Sequence, residues 1–344
     1  MKQARSLVCL APEDPPRLSV CDTPLRRPER GELVVEQLAS AINPIDVKRA
    51  GGYGRRLLSL RGAGHFPLVL GNDVVGIVRE HGSGVSTPPL GALVVGTAPT
   101  GRSGAHASHV VIPARHVRPV PQGADLTELA ALPYCFTTVW IALRAAGLGP
   151  VTAAGRKVLV NGASGALGRM ALHVLRTWGA VTTAVASAAH LPACRALGAG
   201  ELVPRGNGAL DRLPSDFTAV LNFGSWDDDA QLSARLAGHA LGHSTTVHPL
   251  LANFDRHGWL GGACRSYGTR RAARARVAAR SPSARYTWVL FQPHEEALKA
   301  LIAAFAAGLR LPVGWTGTAD HAGPGFERVR AGAQGRSVLL FPPP

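Results

Sequence analysis

The chain of 344 residues is 46% hydrophobic and 17% charged, an ordinary globular mixture with room for two domains. No run approaches the roughly 18–20 uncharged apolar residues of a membrane span, and the opening MKQARSLVCLAPED is neither a signal nor a transit peptide, so a cytoplasmic protein is expected. The net charge of +15 is almost entirely arginine, since Lys2, Lys48, Lys157 and Lys299 are the only lysines, and this bias fits coding composition better than a nucleic-acid site.

In chain order, residues 1–120 read as short β-branched strands cut by Gly and Pro: a first strand at the N-terminus, then GELVVEQLAS (31–40), DVVGIVRE (73–80), GALVVGTA (91–98) and SHVVIPARHV (108–117). Helical spacing begins in PQGADLTELAALPYCFTTVWIALRAAG, with Asp125 or Thr127 as its cap. Strands and helices then alternate. KVLVNGAS, AVTTAVAS, ELVP, DFTAVLNFG, HSTTVHPL and YTWVLFQP are strands, interleaved with the helices LGRMALHVLRTWG, LPACRALGAG and DDDAQLSARLAG. That alternation predicts a doubly wound parallel sheet. CRSYGTRRAARARVAARSPSAR (264–285) reads as a helix with a basic face, and EEALKALIAAFAAGLRLPVG and RSVLLF as a closing helix and strand. The five cysteines, Cys9, Cys21, Cys135, Cys194 and Cys264, are scattered, odd in number and without a CxxC, which excludes a disulfide framework and a thiolate zinc knot.

The strongest chemical signal is VLVNGASGALGRM (158–170). Ala163, Ser164, Gly165, Ala166, Leu167 and Gly168 form an AxGxxG turn between strand and helix. A small residue at 163 permits the bend, Gly165 admits a pyrophosphate, and Gly168 lets the helix pack on the sheet. An NAD site places Asp or Glu at the end of the second strand to hold the ribose 2′-hydroxyl. Here that strand ends at Ser187 with no carboxylate, and Arg205, one strand further on, is available for a 2′-phosphate, so NADPH is the expected cofactor. Phe223, closing DFTAVLNFG, is placed in the same set.

Four motifs, AINPIDVKRAGGYG (41–54), FPLVLGNDVVGIV (66–78), AALPYCFTTVW (130–140) and the glycine turn, resemble the zinc-free, quinone-oxidoreductase-like branch of the medium-chain dehydrogenase/reductase superfamily. PLLANFDRHG (249–258), YTWVLF (286–291) and AAGLRLPV (306–313) are most similar to its reticulon-interacting mitochondrial oxidoreductase group. The resemblance implies an α/β protein with a GroES-like β-rich catalytic domain, 1–121 and 292–344, split around a Rossmann-type NADPH domain, 122–291. It also implies an active cleft between them and a homodimer through the cofactor domains. By position, Asn43 and Thr138 would lie by the nicotinamide or its ribose, and Tyr53 and Asp73 would line the cleft.

The positions where zinc members carry metal ligands read Asp46 and Asn72-Asp73, with no later Cys. His106 and His109, with two residues between them, point to opposite faces of a strand, so no metal is expected. Without a Lewis acid, hydride transfer favours a conjugated acceptor, a quinone or an α,β-unsaturated carbonyl. Tyr53 is the preferred donor to the resulting anion, with Asn43 and Asp73 in the catalytic set. Arg55, Arg56, Arg61 and His65 in the following loop would suit an anionic handle such as a CoA or carrier phosphate. A small electrophilic substrate, free or carrier-linked, is therefore the expected partner, and neither a membrane nor nucleic acid is. A trans-acting enoyl or tailoring reductase and a non-catalytic NADPH-binding accessory protein are the alternatives.

Overall fold

The computed structural model of the chain describes residues 2–101, 103–120 and 123–342. It divides into two compact units, one of residues 1–137, 254–258 and 292–344, the other of 138–253 and 259–291. The boundary read from the sequence at 121/122 falls on residues outside the described ones. The observed division lies later, at 137/138, because the helix Leu126–Ala130 packs on the strands of the first unit before the chain leaves it. Asp125 caps that helix, its carboxylate accepting the Thr127 and Glu128 N–H groups at 2.8 and 3.0 Å.

The first unit begins with β1 (Gln3–Cys9), β2 (Leu18–Pro24), β3 (Glu32–Ile42), β4 (Leu68–Val69), β5 (Asp73–His81), β6 (Leu93–Thr97), β7 (His109–Pro113) and β8 (Val117–Pro119). The second unit contains β9 (Lys157–Asn161), β10 (Val181–Ala186), β11 (Glu201–Pro204), β12 (Ala219–Asn222), β13 (Gly242–Thr245) and β14 (Arg285–Trp288). These six run parallel in the order β11-β10-β9-β12-β13-β14. The order reverses between β9 and β12, which makes their carboxyl ends the place for a ligand. Trp288 packs in the core of this unit with Leu159, Phe217 and Val220.

The tail then supplies β15 (Val313–Thr318) and β16 (Arg336–Leu340) to the first unit. They complete a sheet ordered β15-β16-β3-β5-β6-β8, with β7 also paired to β3 and β16 antiparallel to it; β2, β1 and β4 form a separate small sheet. β3 is therefore paired along both edges and nearly all buried, the condition in which an unbroken apolar run such as LVV is stable. The helix Leu250–Arg280 bends at Gly258, whose φ of 72° is a left-handed conformation that glycine adopts without strain. No helix among the described residues is long and apolar enough to cross a membrane.

The tail also completes the core of the first unit. Phe326, on the helix Gly323–Arg330, packs with Leu7, Ile42, Leu68 and Leu339 and is 1% exposed. Phe326→Ala is expected to lower unfolding free energy by about 3–5 kcal/mol in urea titrations, and a loss below ~1 kcal/mol would show that the tail is dispensable to this core.

Candidate active site

In the first unit the residues named from the sequence sit at opposite extremes of burial. Asn43 and Asp73 are wholly inaccessible, while Tyr53 is half-buried. Asn43 precedes the helix Pro44–Ala50, and its side-chain N–H donates to Asp73 Oδ2 at 2.7 Å. The other carboxylate oxygen, Asp73 Oδ1, accepts the Tyr134 N–H at 2.6 Å, one of the donors left free at the start of the helix Pro133–Ala145. Ser40 and Gln37 donate to the Asp73 carbonyl at 2.8 and 2.9 Å. Asp73, expected to line a cleft, thus turns both carboxylate oxygens inward. It joins a strand, a helix entry and a helix start.

Sequence reasoning missed the cation of this cluster. Arg336, at the start of β16, donates from Nη2 to Asn43 Oδ1 at 2.6 Å and from Nε to the Ala131 carbonyl at 3.2 Å. Because a guanidinium only donates, it fixes which end of the Asn43 amide faces Asp73. Burial pushes the Asp73 carboxyl from 3.8 up to about 7, opposed by Arg336, the Tyr134 N–H and Asn43. The Cys135 thiol, 3.9 Å from Asn43 Oδ1, is likewise pushed up by burial to about 11. Asp46 accepts the Asn43 and Gly71 N–H groups at 2.8 and 3.0 Å, and Asn72 donates to the Ala98 carbonyl at 2.9 Å. Among the described residues no group of three His, Cys, Asp or Glu side chains is placed to hold a metal ion.

Tyr53 lies in a turn that Asp255 clamps. The two oxygens of that carboxylate accept the Gly54 N–H at 2.6 Å and the Arg56 N–H at 3.1 Å, and Gly54 takes a φ of 77°. Burial, and then the charge of Asp255, push the Tyr53 phenol upward, so its proton is retained at neutral pH. Asp255 belongs to the FDRHG stretch, and its signal in the sequence is the glycine three residues later that lets the chain turn.

In the second unit the glycines divide their work by space. A Cβ on Gly168 would lie 2.3 Å from the Gly162 carbonyl oxygen and 2.4 Å from Ala163 Cα, so only hydrogen fits where helix meets strand. On Gly165, the residue before the helix Ala166–Thr177, it would meet nothing nearer than 3.5 Å. An exposed, uncrowded glycine just before a helix N-terminus lets a pyrophosphate approach the backbone, so the turn fits a dinucleotide. Ala163 is buried, Ser164, Ala166 and Leu167 are partly so, and Thr138 is 5% exposed on the helix Pro133–Ala145.

At the carboxyl ends of β9, β10 and β11 lies a cavity of about 340 Å³ lined by Asn161, Val185, Arg205, Asn207, Asp228 and Gln231 among others. Arg205, read from the sequence as free for a phosphate, instead pairs with Asp228 at 3.3 Å, and Asn161 donates to the same oxygen at 2.9 Å. Ser187 is exposed and its hydroxyl lies 2.7 Å from His190 Nδ1. Phe223, partly buried, follows β12 and donates its N–H to the Asn161 carbonyl at 3.0 Å. A chain of Ser233, His243 and Asp229 resembles a hydrolytic triad, but each member is 1% exposed or less and Asp229 also accepts the Tyr286 hydroxyl at 2.7 Å. It is core structure.

Comparison with known proteins agrees with this architecture. Residues 29–122 match the alcohol dehydrogenase GroES-like domain. The chain is 32% identical over 240 residues to the mouse protein "NAD(P)H oxidoreductase RTN4IP1, mitochondrial", a match covering 66% of this chain and 61% of the relative. The chain thus spans about three fifths of the length of that relative. Among solved structures, the quinone oxidoreductase from Coxiella burnetii aligns with a TM-score of 0.80 at 20% identity over 99% of this chain and all of that one. The CurK enoyl reductase aligns with a TM-score of 0.76 at 19% identity, again over 99% and 100%.

The Asp73 carboxyl sets a pH dependence of stability. Its value in the folded state lies above that in the unfolded chain, so the native state holds the proton more tightly. Its contribution is full below about pH 4 and is lost as pH rises toward 7, at roughly 1.4 kcal/mol per unit at most. The stability difference between the parent and Asp73→Asn should shift against the parent across that window in urea midpoints; a pH-independent difference would contradict this placement.

Proposed function

We propose that this chain is a medium-chain dehydrogenase/reductase: an NADPH-dependent, zinc-independent oxidoreductase that reduces a conjugated acceptor, a quinone or an α,β-unsaturated carbonyl. The carrying observation is the exposed Gly165 before a helix in a parallel sheet, where a Cβ would meet nothing nearer than 3.5 Å. The turn from Ala163 to Gly168 would hold the pyrophosphate of a dinucleotide, whose reduced nicotinamide would supply hydride for the β-carbon of the acceptor. The residues of the chain then manage the negative charge left on the acceptor oxygen.

In this reading Tyr53 donates a hydrogen bond, and then its proton, to the enolate or hydroquinone oxygen, and its raised phenol value keeps that proton in place beforehand. Asn43 and Asp73 have no free face for a reacting atom, so we assign them a positioning role. They hold the first turn of the helix Pro133–Ala145, which carries Thr138, and Thr138 is read as a neighbour of the nicotinamide ribose. Zinc independence is supported by the donors at the metal positions: both oxygens of Asp46 and of Asp73 are occupied by N–H groups.

For the cofactor, the absence of a carboxylate at Ser187 favours NADPH. Arg205 would leave Asp228, a largely buried carboxylate that keeps its Asn161 donor, to meet the 2′-phosphate. The relatives named for quinone and enoyl reduction support the acceptor class, and the name of the mouse relative places that protein in mitochondria. A homodimer through the second unit, a cytoplasmic location and a small electrophilic substrate complete the proposal.

The test is NADPH oxidation measured across quinones, enones and enoyl thioesters, with no turnover on any of them as the contrary result. Tyr53→Phe should lower kcat by ~10²–10³ while leaving NADPH affinity unchanged, and near-parental turnover would remove Tyr53 from the chemistry. Gly165→Leu should fold normally yet bind NADPH at least about tenfold more weakly in calorimetry, one step of 1.4 kcal/mol. Unchanged affinity would move the nucleotide away from this turn.

A further inference from the structure

The clamp at Asp255 gathers positive charge around Tyr53. Because Asp255 binds the backbone of Gly54 and Arg56, the turn bearing Arg55 and Arg56 lies beside Arg256 and His257. Arg56 Nη1 lies 3.6 Å from where a Cβ on Gly258 would stand, so its guanidinium covers the bend of the long helix. Lys48 places its ammonium 5.7 Å from the centre of the Tyr53 ring. Lys48, Arg55, Arg56, Arg61 and Arg256 are all exposed.

These five cations are also unpaired. Among the described residues none of them makes an ion pair, whereas Arg5, Arg26, Arg79, Arg118, Arg205, Arg310 and Arg330 each do. Asp255, the carboxylate at this turn, already has both oxygens on backbone N–H groups. Exposed cations gathered about one turn, without ion pairs, attract an anion of several oxygens. Guanidinium forks match the oxygens of a phosphate two at a time, which a single carboxylate satisfies less fully.

We propose that Arg55, Arg56 and Arg256, with Lys48 and Arg61 beside them, form a recognition surface for a phosphate group carried on the tail of the substrate. The substrate class is then a conjugated acceptor joined through a flexible linker to a phosphate ester or anhydride, rather than a neutral lipid-like quinone. This rests on the reading that Tyr53 faces the reacting end of the acceptor. The exposed arginines set which acceptor is held and take no part in the proton transfer.

Two measurements test it, one without turnover. Pyrophosphate is titrated calorimetrically into the parent protein and the triple variant Arg55→Ser/Arg56→Ser/Arg256→Ser, with NADP⁺ in excess to occupy the glycine turn. Binding to the parent that weakens at least about tenfold in the variant, and with added salt, is the expected result. Equal binding to both, or to neither, overturns the proposal. In the second measurement an enone ending in a phosphate ester is compared with its parent alcohol. The ratio of their kcat/KM values should be about ten or more for the parent protein and near one for the variant. A ratio near one in the parent, or an equal ratio in both proteins, overturns it as well. If no acceptor is reduced while pyrophosphate binding still depends on the three arginines, the surface stands and the reductase reading is what fails.

Discussion

A carboxylate with no access to water is the constraint around which the first unit is arranged. Burying Asp73 costs several kcal/mol unless each oxygen finds a donor and a cation lies near, and the chain meets that demand from three distant places. Asn43 and the Tyr134 N–H supply the donors, and Arg336 supplies the charge through Asn43. The requirement explains why the last strand must return to the first unit. β16 both continues the sheet beside β3 and delivers the guanidinium that orients the Asn43 amide.

The second unit is arranged around the absence of side chains. Gly168 is excluded from carrying a Cβ by the backbone at Gly162 and Ala163, whereas Gly165 has room that the protein itself leaves open. The first glycine serves packing, and the second is uncrowded on the side facing solvent. Both sit at the carboxyl end of β9, beside the point where the strand order reverses. The cavity at Arg205 and Asp228 continues that edge of the sheet, at the carboxyl ends of the same strands as the glycine turn.

Much of this was legible in the sequence, and the limits have physical causes. β-branched runs and the glycine turn declare themselves locally, which is why β9, the helix Ala166–Thr177 and β10 fall where VLVNGASGALGRM and AVTTAVAS put them. The two side chains that were missed act over long distances in the chain. Arg336 meets Asn43 across 293 residues, and Asp255 meets Gly54 across 201, so neither spacing nor periodicity reports them. Asp73 enters the sequence reading only through the family resemblance, which puts it at a cleft; that resemblance does not show that Asn43 and the Tyr134 N–H take both carboxylate oxygens. Arg205 reads as free because a sequence does not show that Asp228 lies opposite.

The central claim is that hydride reaches a conjugated carbon and that the charge appears on an oxygen held by this chain. The most direct measurement uses NADPH deuterated at C4 with an enone acceptor and locates the label in the product by NMR. Deuterium is expected on the β-carbon of a saturated ketone, with the α-hydrogen drawn from solvent as the enol formed by Tyr53 tautomerises. Deuterium on the carbonyl carbon, in an allylic alcohol, would contradict it.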